Sequence, residues 1–541
     1  MKKIQKESLV SPDQQGSCPS LCPVEYLEAS AGFGKTYSCL QHIVSNEIPK
    51  GNSQWVYLGK SIALCEESLS LVESFNDKLL YSMISSHEDV KVSVHSRVID
   101  TLEEKEFDIL FITHSAFLHI IKEDKGFMFG GCNILLDENI DILNLYSVNV
   151  PRQEDCLGKV LKPVDGSATK FIPHRFNAYV ERTLKSDKTS NKYKDFLKVL
   201  SKDRFCFMYE RRDEFEYCTY YLHDIRQVLL TCKRFIALGA KLKDTLNTGL
   251  YRSLGIKVIP YTDVALKRDR YLNQERITIY YMVNETSRDS GCTSSILDGL
   301  WDYKNGNFIS VNTWKKAPKG MESYPHHHTV FDECLIRSLE VLGDEFIYTL
   351  NKKRDSGDIL PDGVGERIPY GCYGVNHLKH YNNAMALFTF KPNMARSNLL
   401  TELGKLFEFP EISRKYLEYK EFEAQYQTIT RGAIRAFDIP EEPIVWVVSD
   451  LNVANYIKEY HVQGAIIKDD ISLRLPKGTV RNGGHNKSEF KVKYGVTKKE
   501  GDTINTFNSV FRKENKREPT EQEVLSRLEQ YRDKQKRKMS K

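Results

Sequence analysis

The chain has 541 residues, room for three or four domains, and its 40% hydrophobic and 28% charged content is that of an ordinary globular protein. No apolar run approaches the roughly 20 residues that cross a bilayer, and polar residues follow the first lysines, so neither a membrane span nor a secretory signal is expected. The net charge of +5 is uneven: residues 477–541 carry 18 Lys and Arg against 9 Asp and Glu, a basic tail on a slightly acidic body that suits a polyanionic partner.

The 12 cysteines are scattered, with only Cys18 and Cys22 at close spacing, which reads as free thiols in a reducing cytoplasm. After an N-terminal extension over 1–23, "PVEYLEA" (23–29) predicts a short strand. "EASAGFGKTY" (28–37) follows it, and "YSCLQHIVS" predicts a helix. Strand, glycine-rich loop and helix in that order form a phosphate-binding loop. Gly32 and Gly34 permit turns that aim the backbone N–H groups of Ala31, Gly32, Phe33 and Gly34 inward, with Tyr37 in the helix behind. Lys35 would reach the β- and γ-phosphates of a nucleotide, the Thr36 hydroxyl would ligate Mg²⁺, and the helix N-terminus would face the same anion.

Further strand-length runs are "WVYLG" (55–59), "VKVSVHS" (90–96) and "FDILFITHSAFL" (107–118), separated by helical stretches such as 61–80. The alternation predicts a mostly parallel sheet covered by helices on both faces, whose working edge lies at the carboxyl ends of the strands. Lys60, Ser61, Thr113 and His114 fall on that edge and are candidates for contacting nucleic acid. "CNILLDENIDI" (132–142) adds a buried strand ending in Asp137-Glu138. Asp137 is the expected Mg²⁺ partner, and Glu138 the group that orients or deprotonates an attacking water.

These three motifs in this order resemble the first half of superfamily 1/superfamily 2 helicases, with a lean toward superfamily 2 and its phage or mobile-element members. The resemblance spans roughly 24–460. It implies two RecA-like parallel-sheet domains in tandem, with ATP and Mg²⁺ bound between them. "RFIALGAKLKDTL" (234–246) resembles the third motif, although Gly239-Ala240-Lys241 stands where the family has Ser-Ala-Thr. "FIYTLNKK" (346–353) looks like the first strand of the second domain. "GCYGVNHLKHYNNAMALFTFKPN" (371–393) is similar to the fifth motif, with Gly374 and Asn376 beside the nucleotide. "QYQTITRGAIRAFD" (425–438) resembles the sixth, with Gln427 and two candidate arginine fingers, Arg431 and Arg435. "PIVWVVSDLNVANYIKEY" (443–460) supplies the closing strand and helix, and Glu25 and Tyr26 are placed to flank the adenine.

The expected organisation is a first RecA-like domain over 24–150 resuming at 231–274, a mixed, largely helical insertion over 151–230, a second RecA-like domain over 275–463 and a basic extension over 464–541. In the extension Thr520 is placed to cap a helix carrying Val524, Leu525, Leu528 and Tyr531. The histidines at 326–328 read as an exposed loop, since three consecutive residues cannot converge on one metal. The function implied is an ATP-driven helicase or translocase acting on nucleic acid, DNA favoured over RNA, alongside replication or recombination proteins in a bacterial or phage-infected cytoplasm. A genome-packaging motor shares the phosphate loop and acidic pair but needs a cluster of acidic nuclease ligands, which the basic tail does not supply. A nucleotide-gated scaffold with little turnover is the third reading.

Overall fold

A computed structural model describes residues 20–473, with internal breaks of which the longest is 310–326, and then residues 507 and 511 and the helix at 521–539. The first domain is built on β1 (Val24–Glu28), β2 (Trp55–Gly59), β3 (Tyr81–Met83), β4 (Ile109–Thr113), β5 (Asn133–Asp137), β11 (Arg234–Gly239) and β12 (Val258–Pro260). All pair in parallel, in the order β12-β1-β11-β5-β2-β4-β3. Every residue of β2 and β5 is buried, which is why both read as unbroken apolar runs rather than alternating ones. Helices α1 (Lys35–His42), α2 (Ile62–Phe75), α3 (Val94–Glu104) and α4 (His114–Lys122) cross between the strands.

Residues 94–96, expected in a strand, open α3 instead. The Ser93 hydroxyl accepts the Ser96 N–H as an N-cap, and buried Val98 and Leu102 recur at helical spacing, so the 3.6-residue period prevails over local β-branching.

The chain leaves the first sheet for β6 (Leu143–Pro151), β7 (Leu161–Pro163), β8 (Lys170–Pro173), β9 (Cys206–Glu210) and β10 (Glu214–Leu222), an antiparallel sheet ordered β6-β10-β9-β8-β7. The described residues of the insertion are therefore mixed, built around this sheet rather than around helices alone. Among its described residues the longer helix is α5 (Asn191–Leu200), and α6 (Arg226–Thr231) leads back into β11. Both faces of β10 are covered, so "EFEYCTYYL" shows aromatic and β-branched content without a clean alternation, and that concealed its strand character.

The second domain carries β13 (Ile277–Val283), β17 (Phe346–Leu350), β18 (Glu366–Arg367), β19 (Asn383–Leu387), β20 (Ile444–Asp450) and β21 (Ile466–Lys468), again all parallel, in the order β18-β17-β19-β20-β13-β21. Its first strand is β13 rather than 346–353. Its sheet also runs past 463, because Ile466 and Ile467 pair with Thr278 and Ile279. A small antiparallel sheet, β14 (Leu300–Asp302), β15 (Asn307–Ile309) and β16 (His327–Thr329), precedes α7 (Val330–Leu342). His327 and His328 thus lie in a strand and not in a loop, and His328 bonds Glu333 at 2.7 Å. Two more helical regions follow: α8 (Met394–Leu406), and a run over 412–429 made of α9 (Ile412–Leu417), a π-helical turn (Glu418–Phe422) and α10 (Glu423–Ile429). Helix α11 (Leu451–Tyr460) follows β20, capped by the Asp450 carboxylate.

The insertion sheet holds α8 of the second domain through Asn393–Glu216 at 2.7 Å, Arg396–Ser147 at 2.8 Å and Lys170–Glu402 at 2.8 Å. In the separate C-terminal unit, 521–539 forms α12 (Glu521–Met539); Thr520 lies outside the described residues.

Candidate nucleotide site between the two parallel-sheet domains

Strand β1 delivers the loop 29–34 to the carboxyl edge of the first sheet. Gly32 and Gly34 adopt φ of 83° and 76°, backbone that side chains resist, which is the physical need for glycine at both positions. Lys35 and Thr36 begin α1. The Lys35 ammonium curls onto the loop, donating to the carbonyls of Ala29 at 2.6 Å and Ser30 at 2.9 Å, while Tyr37 sets its ring edge-on to Phe75 at 5.2 Å.

One strand lies between β1 and β5, so Asp137 reaches the loop across β11. The Thr36 hydroxyl donates to Asp137 Oδ2 at 2.7 Å, and the Tyr57 hydroxyl donates to the same oxygen at 2.7 Å. The two groups expected to hold Mg²⁺ therefore touch. Burial, seconded by the neighbouring Glu138 charge, pushes the Asp137 carboxyl up to about 6 against the pull of Tyr57, Thr36 and Lys35. Glu138 sits at φ 68°, a left-handed conformation unusual for a non-glycine residue and a form of strain that collects at working sites. The turn aims its carboxylate at the Lys60 ammonium, 3.9 Å away.

The helical run 412–429 lies over this edge. A cavity of about 160 Å³ separates them, with Lys60, Glu138, Gly239 and Ala240 on one wall and Tyr370, Glu423 and Gln427 on the other. Charge pairs close the seam: Lys420 to Asp141 at 2.8 Å, Lys415 to Asp244 at 2.5 Å, and Lys241 to Glu418 at 3.5 Å. Lys241 also stands 3.3 Å over the Tyr460 ring, so the stretch after β11 bridges the two domains through an ammonium.

The phosphate loop itself docks on the second domain. Phe33 is 3% exposed and packs edge-on against Tyr271 at 4.8 Å. The Ala31 N–H donates to the Tyr426 hydroxyl at 3.2 Å, and the Tyr271 hydroxyl donates to the Ala31 carbonyl at 2.5 Å. An amide that the loop would offer to a phosphate oxygen is thus held by a tyrosine of α10.

Arg431, two residues past α10, is 3% exposed, and its guanidinium is near enough to help lower the Lys60 pKa, to which burial contributes most. Arg435 ends a short turn at 433–435; its side chain, like Gly374 and Asn376, lies outside the described residues. Gln427 lines the cavity and donates to Glu423 at 2.8 Å.

One expectation needs correction, and the other edge residues have protein partners. His114 is buried, not a nucleic-acid contact: its Nε2 lies 2.9 Å from the Asp137 carbonyl and 3.2 Å from that of Leu58, and burial pushes the imidazole pKa down to about 3. Lys60 faces Glu138 in the cavity, and Ser61 and Thr113 cap α2 and α4. Glu25 is engaged by Arg234, which donates to its two oxygens at 2.6 and 2.8 Å. The cross-seam groups Asp141, Asp244, Lys415, Glu418 and Lys420, with Tyr57 and Tyr271, gave no signal in the sequence, since isolated charges and tyrosines carry no spacing to read; Lys241 and Tyr426 lie within motifs, but nothing in the sequence marks them as bridging the domains.

No family model matches the chain, and no curated protein matches it. Among solved structures, Mss116p bound to ssRNA and AMP-PNP aligns at a TM-score of 0.34 with 10% identity, over 91% of this chain and 78% of that one. S. cerevisiae Dbp5 bound to RNA and ADP BeF3 aligns at 0.32 with 10% identity, over 85% and 86%. Mycobacterium smegmatis Lhr bound to ssDNA and AMP-PNP aligns at 0.29 with 10% identity, over 79% and 44%. Likenesses this weak leave the residues of the seam to carry the functional reading. Among the described residues no helix is long and apolar enough to cross a membrane.

Proposed function

We propose that the chain is an ATP-hydrolysing motor of the superfamily 2 helicase type, acting on nucleic acid from the seam between its two parallel-sheet domains. The observation that supports this most is the convergence of Lys35, Thr36, Asp137 and Glu138 at one sheet edge, covered by a helical run of the second domain that leads into Arg431.

The donor set suits a Mg²⁺-nucleotide. Thr36 and Asp137 supply hard oxygen ligands already in contact, and the loop supplies an ammonium and backbone N–H groups. When bound, ATP with Mg²⁺ supplies the transferable phosphoryl group and its neutralising charge. The protein's part is positioning. Lys35 exchanges the Ala29 and Ser30 carbonyls for phosphate oxygens, and Tyr426 releases the Ala31 N–H. Glu138, held by its strained turn, accepts a proton from water at its carboxylate. Arg431, and Arg435 four residues on, place positive charge from the second domain where negative charge develops. Hydrolysis then alters the seam pairs, which gives the two domains a reason to move. Phosphate release should rise on adding single-stranded DNA or RNA, and Glu138→Gln should lower turnover about 10²–10⁴-fold while nucleotide still binds. No stimulation by either polynucleotide would overturn the motor reading.

A further inference from the structure

Far from the seam, two helices of the first domain bring three metal-type side chains together. The Ser93 cap places His95 in the first turn of α3. Helix α4 carries His119, and Glu123 follows four residues later at its C-cap, so both project from one face. His95 Nε2 lies 3.1 Å from Glu123 Oε2, His119 Nε2 lies 3.3 Å from Glu123 Oε1, and the imidazoles meet edge-to-face at 4.8 Å. One ligand atom from each of the three fits within 4.8 Å.

We propose that His95, His119 and Glu123 form a binding site for a divalent transition metal of the zinc class, a staple joining α3 to α4. Zinc takes imidazole nitrogen and carboxylate oxygen at about 2.0–2.2 Å in tetrahedral array, with three protein ligands and a water as one common set. Tetrahedral bonds of that length put ligand atoms about 3.4 Å apart; each histidine lies at about that distance from Glu123, His95 from Oε2 and His119 from Oε1, and one ligand atom from each residue falls within 4.8 Å of the others. The two imidazoles must close slightly, and His119, 54% exposed, is free to swing. His95 Nε2 is shut off from solvent and forms no hydrogen bond among the described residues. An imidazole nitrogen facing a carboxylate without a hydrogen bond is relieved by a cation between them. Lys125 stands 3.5 Å from Glu123 and would be the cation displaced.

The site is structural with respect to the nucleotide. His114, at the opposite end of α4, is the residue under Asp137. A nine-residue helix separates the two ends by about 13 Å.

The test is a Zn²⁺ titration of the full-length, chelator-treated protein, with thermal melting and Co²⁺ absorption in parallel. Wild type should bind one equivalent more than His119→Ala or Glu123→Gln, and Zn²⁺ should raise its melting temperature but not theirs. Lys125→Ala should tighten binding several-fold. Co²⁺ should show visible d–d bands without the near-ultraviolet band of a thiolate ligand. Both variants alter half-exposed groups, so unchanged melting in chelator verifies that they fold. Equal stoichiometry in wild type and variants, no saturable binding, or a thiolate band placing the metal on cysteines would each overturn the proposal.

Discussion

The carboxyl edges of the two parallel sheets use the same ingredients and reach opposite outcomes. In the first domain Lys60 and Glu138, 3.9 Å apart, line the cavity, and Lys35, Thr36 and Asp137 bond within the loop and strand that a nucleotide would engage. In the second, Lys391 lies 3.0 Å from Glu421 and 3.5 Å from Asp450, while the Phe390 and Cys292 N–H groups donate to those carboxylates at 2.7 and 2.8 Å. Glu421 and Asp450 are wholly buried. One edge keeps its charges beside a cavity, ready to exchange partners; the other has consumed them internally, so it can only support. The comparison teaches that a lysine and carboxylates after parallel strands make a ligand site only where room is left for the ligand.

The contrast is broken most directly from the first edge. Lys35→Ala should reduce ATP hydrolysis by about 10³-fold, as losing a principal charge stabiliser does, with little change in unfolding free energy; phosphate release and urea titration check both halves. At the second edge Lys391→Met should do the reverse. It strands two buried carboxylates and should cost about 3–5 kcal/mol in the urea titration, with stability lost before activity is touched. A smaller effect sharpens the idea of exchangeable partners: Tyr426→Phe frees the Ala31 N–H, and nucleotide should bind about 2–10-fold tighter, the worth of one hydrogen bond. Fluorescent-nucleotide titration showing equal or weaker binding would remove the tyrosine from competition with phosphate.

A last effect is in pH. Burial pushes the Glu421 carboxyl up from 4.5 to about 7, despite Lys391. A raised folded-state pKa means that the folded protein holds this proton more tightly than the unfolded chain. The stabilisation is full below about 4.5 and is lost as pH rises through about 7. Denaturation midpoints should fall over that window for this group, and Glu421→Gln should flatten the slope.

Much of the first domain was legible because its signals are local. The predicted strand at 55–59 matches β2, the apolar run 134–136 ending at Asp137 falls in β5, and the loop's glycines sit at the positive φ their spacing demanded. The sheet of the insertion is hard to see in sequence because β10 lacks alternation, and β13 and β21 are hard to see because a strand that closes a sheet from a distance has no local marker. His114 was read as an edge contact from its position after β4; only packing shows it turned inward to the Asp137 carbonyl.

By itself the sequence determined the covalent logic of the site: a lysine and a threonine after two glycines, two carboxylates after an apolar strand, and arginines at a fixed separation after a glutamine. Those are short-range relations, set by turn geometry and helix and strand periodicity. The tertiary structure alone decided which charges face a cavity and which are sealed. It also decided that the loop rests on Tyr271 and Tyr426, and that Lys241, Lys415 and Lys420 bridge the seam. These contacts join residues more than 150 positions apart, and their pairing depends on how two separate cores bring their faces together, which no local pattern encodes.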